Sequence, residues 1–141
     1  LRRQAGRLMQ QIVIGLPPNY AAIKDRFPDC ERKGVIFSYG DRIFNPSGIS
    51  IPRPLMAHEA VHGLRQGADP AAWWARYLAE PLFMLDEEIH AHHAEYRAAV
   101  KRHGHRPRDL RGIAERLSGP LYGHAITFAQ AQHAILTGEI R

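Results

Sequence analysis

Residues 58–62 read His-Glu-Ala-Val-His, the pattern H-E-x-x-H, inside Pro54-Leu-Met-Ala-His-Glu-Ala-Val-His-Gly-Leu-Arg-Gln66. On an α-helix, residues four apart share a face, so His58 and His62 can offer two imidazole nitrogens to one metal ion. Glu59 lies about 100° round the same helix, near the metal but poorly placed to bind it beside both histidines. From there it can hold a water beside the metal and take its proton.

Two histidines alone hold a catalytic zinc weakly. A tetrahedral catalytic site uses three protein ligands and keeps the fourth position for water, so a further His, Asp or Glu must come from a separate element. Asp86-Glu87-Glu88-Ile-His90-Ala-His92-His93-Ala-Glu95 is where the chain can supply it. Helical spacing groups Leu85, Glu88, Ala91, His92 and Glu95 on one broad face and points Glu87 elsewhere. Ala91 is small enough for close approach to a neighbouring helix. Glu88 is the favoured third ligand, with Glu87 and Glu80 as rivals. His90, His92 and His93 read as solvated or supporting residues rather than ligands.

The elements that would position these residues follow from turn and cap signals. Residues 2–14 could begin as an amphipathic helix and end as a strand at Ile12-Val-Ile14, which periodicity does not separate. Asn19 is a plausible N-cap for a short helix from Tyr20 to Phe27, closed by Pro28. Val35 to Tyr39 and Arg42 to Phe44 read as a hairpin about Gly40-Asp41, and Ile49 to Ile51 as a third short strand. That makes a small antiparallel meander. The motif helix is expected over about 54–66, with Gly67 at its C-terminal end and Leu55, Met56, Val61 and Leu64 facing the core. Asp69-Pro70 opens a helix through Trp73, Trp74, Tyr77 and Leu78. A long helix runs from about Leu82 to His103. Asp109 can cap a helix to about Leu117, and Thr127 to Gln130 has capping-box spacing for the last one. The expectation is a single α+β domain over residues 1–141, mostly helical, with a small sheet before the motif helix.

With this hairpin, motif helix and downstream Glu88-x-x-Ala91, the chain resembles a compact gluzincin, the thermolysin-like class with two histidines and one glutamate. It is also similar to small phage- or prophage-encoded zincin-like proteins over about residues 35–97. The resemblance implies Zn2+ held by His58, His62 and Glu88, with Glu59 as general base and a peptide or protein as substrate. Many gluzincins place Asp or Asn four residues after the third ligand to orient a zinc histidine; here His92 stands there. The metzincin pattern is excluded, because Arg65 and Ala68 replace its glycine and third histidine. An oxyanion donor is also needed. Tyr77, Tyr96, Arg97, Tyr122 and His124 are candidates, Tyr122 from a loop that could form an active-site wall. Trp73 and Trp74 suit a core or the lining of a groove.

Bulk composition agrees with an ordinary globular protein: 141 residues, 45% hydrophobic and 23% charged. No apolar run is long enough for a membrane span, and the opening Leu-Arg-Arg-Gln-Ala-Gly-Arg is too polar for a signal peptide. A single cysteine, Cys30, excludes an internal disulfide and suits a reducing compartment, so a cytoplasmic location in a bacterium or phage-infected cell is expected. The net charge of +5 is densest at Lys101-Arg-His-Gly-His-Arg-Pro-Arg108. A solvated face is the first reading of that stretch; nucleic-acid contact, with a structural or inactive metal site, is the alternative. A zinc-dependent amidase acting on a non-protein substrate is the other.

Overall fold

The computed structural model describes residues 10–140. Proline and glycine punctuate the chain, and its helices lie between them. Strand β1 (Gln11–Val13) leads into helix α1 (Tyr20–Arg26) and a 3-10 turn at Pro28–Glu31. Strands β2 (Phe37–Tyr39) and β3 (Arg42–Phe44) follow, then helices α2 (Arg53–Gln66), α3 (Pro70–Ala79) and α4 (Pro81–His103). After α5 (Pro107–Leu117), a 3-10 turn at Pro120–Tyr122 leads to α6 (Phe128–Thr137). The protein is therefore α+β and mostly helical. The helix considered for residues 2–9 lies outside the described residues.

Several local signals work as expected. Gly67 closes α2 at φ +63°, a value that favours glycine. The Asp69 carboxylate accepts from Ala72 N–H at 3.0 Å to cap α3. Thr127 and Gln130 make a reciprocal capping box on α6. Two caps differ. Asn19 makes no side-chain cap on α1. Asp109 lies inside α5, where it accepts from Arg106 at 2.8 and 3.1 Å rather than from the helix start.

The sheet is a correction to the antiparallel meander. β2 and β3 form the expected hairpin, pairing Phe37 with Phe44 and Tyr39 with Arg42. The third strand is β1, running parallel to β3 with Gln11 opposite Arg42, so the sheet is mixed with order β1-β3-β2. Ile49–Ile51 forms no strand. Asn45 instead bonds forward through its side chain to Ile49 O (2.8 Å) and Ile49 N–H (3.3 Å), folding the segment into a loop. β1 already occupies the free edge of β3.

Two apolar cores flank a polar middle. One joins α1, β2, β3 and α3 through Ile23, Phe37, Phe44, Trp73, Trp74 and Tyr77. The other joins α4, α5 and α6 through Ile89, Ile113, Leu117 and Ile135. Between them α2 packs chiefly on α4. Of the apolar residues expected to face the core from α2, Leu55, Met56 and Val61 are half-buried and Leu64 is 54% exposed, whereas His58, Glu59, His62, Gly63 and Gln66 are buried. Burying polar side chains is costly unless each is paired. Here partners come from every neighbouring element. No described helix is long and apolar enough to cross a membrane.

Candidate metal centre

Helix α2 turns His58, Glu59 and His62 inward because Gln66, one turn on, is locked to the hairpin. Its amide donates to Ser38 O at 2.9 Å and accepts from Gly40 N–H at 2.6 Å. Trp74 Nε1–H donates to the same Ser38 carbonyl at 3.0 Å, tying α3 to β2. From the other side α4 brings Glu88, Ala91, His92 and Glu95, all buried, as helical spacing requires. Ala91 has no exposed surface, consistent with a small residue at a tight helix crossing.

His58, His62 and Glu88 each present a ligand atom, all within 4.8 Å of one another and buried. Glu88 Oε2 lies 3.0 Å from His62 Nε2, and Oε1 lies 3.5 Å from His58 Nε2. Both carboxylate oxygens also accept from tyrosines: Tyr77 at 2.5 Å on Oε2 and Tyr122 at 2.9 Å on Oε1. Glu59 Oε2 stands 3.8 Å from His58 Nε2, while Oε1 accepts from the Ser38 hydroxyl at 2.8 Å. Two imidazoles and a carboxylate on two separate helices are a donor set that can hold a metal ion.

The rivals for third ligand are placed elsewhere. Glu87 is buried, but it accepts from Arg65 at 2.9 and 2.8 Å and from Trp73 Nε1–H at 2.9 Å. It is a structural anchor for α2 and α3. Glu80 is exposed beyond the end of α3 and pairs with Arg76 at 3.0 Å. His90 pairs with Asp86, and His93 donates to or accepts from nothing at the site, its Nδ1 lying 2.7 Å from Ile135 O.

The residue that orients His58 differs from the one the spacing suggested. His58 Nδ1 meets Glu95 Oε1 at 3.0 Å, and the other oxygen of Glu95 is paired with Arg116. With its Nδ1 proton held this way, His58 can turn an Nε2 lone pair toward the Glu88 side once the second ring proton, which Glu88 and Glu95 favour, is lost. His92 does not take that role. Its Nδ1 lies 2.7 Å from Glu88 O within the helix, its ring packs edge-on to His58 at 4.5 Å, and its Nε2 is buried without a hydrogen-bond partner. His58, His92 and Glu95 also form a second close group. It shares His58 with the first.

Electrostatics follow from burying three carboxylates and three imidazoles side by side. Burial pulls the His58 pKa down, but hydrogen bonds to Glu88 and Glu95 outweigh it and raise the pKa from 6.5 to about 10. Burial would raise Glu95, yet the hydrogen bond from His58 and the charges of His58 and Arg116 bring it to about 2. Glu88 opposes its burial in the same way, through His62 and His58, and is held well below the usual carboxylate range. His92 falls to about 3, from burial and the neighbouring His58 charge. Glu59 goes the other way: burial raises it despite His58, His62 and Ser38.

Of the hydroxyl and cationic candidates for an oxyanion donor, Tyr77 and Tyr122 reach the centre. Tyr96 is 3.1 Å from His105 Nδ1, Arg97 is exposed on α4, and His124 is exposed with Nδ1 3.0 Å from Ser118 O. Trp73 and Trp74 line the apolar pocket that opens beside His58, Glu59 and His62. A larger outer groove reaches His58, Glu59 and Tyr122 from the α4–α5 side. Sequence reasoning missed Ser38, Glu95 as the His58 partner, and Arg116. Glu95 carried a usable signal, since it lies seven residues, two helical turns, after Glu88.

Comparison with protein-family models, with curated proteins and with solved structures finds no match to this chain.

Proposed function

We propose that the chain is a zinc-dependent metallopeptidase of the compact gluzincin kind, with His58, His62 and Glu88 as ligands and Glu59 as general base. The observation that carries this reading is the convergence of the three ligand atoms within 4.8 Å, with the Glu59 carboxylate beside them. When bound, zinc supplies a Lewis acid that lowers the pKa of a water and polarises an amide carbonyl.

The remaining work belongs to side chains. Ser38 engages Glu59 Oε1, leaving Oε2 on the His58 side to take the water's proton and pass it to the leaving amine. The burial that raises the Glu59 pKa makes it a stronger base than an exposed glutamate. Glu95 holds His58 in the tautomer that leaves Nε2 free. Tyr122 and Tyr77 donate their hydroxyl protons to the two oxygens of Glu88, at 2.9 and 2.5 Å, and hold its carboxylate toward the histidines.

Protein purified without added metal is expected to carry one zinc, which His58→Ala, His62→Ala and Glu88→Ala lose. Glu59→Gln should keep the zinc while cleavage of a peptide library falls by roughly 10²- to 10⁴-fold. Stoichiometric zinc in His58→Ala sinks the ligand assignment. A zinc-loaded protein that cleaves no peptide but opens an amide in a cell-wall polymer moves the reading to an amidase.

A further inference from the structure

The outer groove is lined by Arg53, Arg102, Arg106, Arg108 and Arg116 and ends at His58, Glu59 and Tyr122. Two of these arginines are neutralised within the protein. Arg106 pairs with Asp109, and Arg116 with Glu95. Among the described residues Arg53, Arg102 and Arg108 form no ion pair, and all three are exposed.

A general preference for cations at helix ends explains only one of the three. Arg102 is in the last turn of α4, where a positive charge complements the helix dipole. Arg53 opens α2 and Arg108 stands in the first turn of α5, both at the positive ends of their helices. A cation there is locally unfavourable. Three unpaired guanidinium groups around one concavity also repel each other, and low-dielectric walls concentrate the resulting field inside the groove. An anionic ligand relieves both effects.

The floor decides which anion. Ile36, Leu55, Ile113 and Leu121 give it an aliphatic character, and among Phe, Trp and Tyr its lining holds Tyr122 alone, with the imidazoles of His58 and His103. Tyr122 already donates to Glu88. Single-stranded nucleic acid binds through repeated aromatic stacking, which this lining does not offer. A polypeptide with acidic side chains between apolar ones matches both the rim and the floor.

We propose that this groove binds an acidic polypeptide segment and delivers it to the metal centre, with Arg53, Arg102 and Arg108 selecting the acidic side chains. The substrate class rests on the hydrolase reading above; the binding itself does not. The arginine forks suit carboxylates, which they can engage through paired hydrogen bonds.

The test measures fluorescence anisotropy with three fluorescein-labelled peptides on one leucine-containing framework, carrying Glu, Gln or Lys at the same positions. A Glu59→Gln background stops turnover without touching the arginines. The Glu peptide should bind at least about tenfold more tightly than the Gln peptide, and the preference should shrink as salt is raised. Arg53→Ser/Arg102→Ser/Arg108→Ser should abolish it, with an unchanged melting temperature reporting an intact fold. Equal affinity for the three peptides, or an unaltered preference in the triple variant, overturns the proposal. Tighter binding of a labelled thymidine oligonucleotide than of the Glu peptide overturns it in favour of nucleic acid. Cleavage by the unsubstituted protein separates the two readings. Charge-selective binding with no peptide cleaved leaves the groove assignment standing and removes the peptidase; cleavage without charge preference does the reverse.

Discussion

His58 meets acid on both sides of its ring: Glu88 near Nε2 and Glu95 on Nδ1. The Nδ1 contact decides what Nε2 can do, because a ring that donates from one nitrogen keeps a lone pair on the other. Glu95 is itself steadied by Arg116, whose guanidinium is half in solvent. Replacing Glu95 by Gln keeps an oxygen that can accept from Nδ1 but removes the charge that makes His58 more basic. Glu95→Gln should therefore weaken zinc affinity by about 10- to 100-fold while leaving one zinc per chain at saturation. Competition against a chelator of known affinity measures this. An affinity equal to that of the unsubstituted protein would show that Glu95 merely fills space. Tyr77 and Tyr122 act analogously on Glu88, holding both oxygens so that the carboxylate cannot rotate away from the histidines.

At the scale of elements, the site depends on α2 and α4 being clamped at the correct rotation. Arg65 in the last turn of α2 forks onto Glu87 of α4, and Trp73 of α3 donates to the same carboxylate. One acidic side chain thus ties three helices, next in sequence to the one that faces His58 and His62. Arg65→Ala should lower stability by about 1–2 kcal/mol, near 5 °C in melting temperature. The effect is below that of stranding a fully enclosed charge, because Arg65 is half-exposed and water can replace it. Zinc stoichiometry should not change. Loss of zinc in this variant would return Glu87 to contention as a ligand. The sequence made much of this level legible. Four-residue spacing placed His58 and His62 together, and three- and seven-residue steps from Leu85 and Glu88 picked the inner face of α4. Proline, glycine and cap residues located α2, α3, α4 and α6. What stayed hidden depends on contacts between segments distant in sequence. Nothing local in Gln11–Val13 announces that it pairs parallel to β3, which is why Ile49–Ile51 looked like the third strand. Ser38 sits between Phe37 and Tyr39 as an ordinary strand residue until the hairpin docks on α2. Leu64 followed the usual rule that leucines face inward, but the inner face of α2 was already claimed by polar groups.

For the whole molecule, two apolar cores must support a buried polar layer whose charges are balanced only in part by arginines. That arrangement links folding to protonation. Glu95 has a folded pKa of about 2 against 4.5, so its contribution is complete above 4.5 and is lost as pH falls toward 2. His92 has a folded pKa of about 3 against 6.5; protonation favours the unfolded chain, and stability is lost as pH falls from 6.5 toward 3. His58 runs oppositely. Its folded pKa of about 10 against 6.5 gives stability that is complete below 6.5 and lost as pH rises toward 10. Chelator-treated protein should therefore be most stable near pH 6.5 and melt at progressively lower temperature on both sides. On the proposed ligand set zinc would change the alkaline limb, because a metal ion on His58 Nε2 would replace the proton that otherwise holds the carboxylates together. Zinc-loaded protein should keep its melting temperature from pH 7 to pH 9, over which the chelated protein declines. Zinc binding at pH 7 should release a proton, visible as a dependence of the calorimetric heat on the ionisation enthalpy of the buffer. Parallel alkaline limbs with and without zinc, or heats independent of buffer, would separate His58 from the metal.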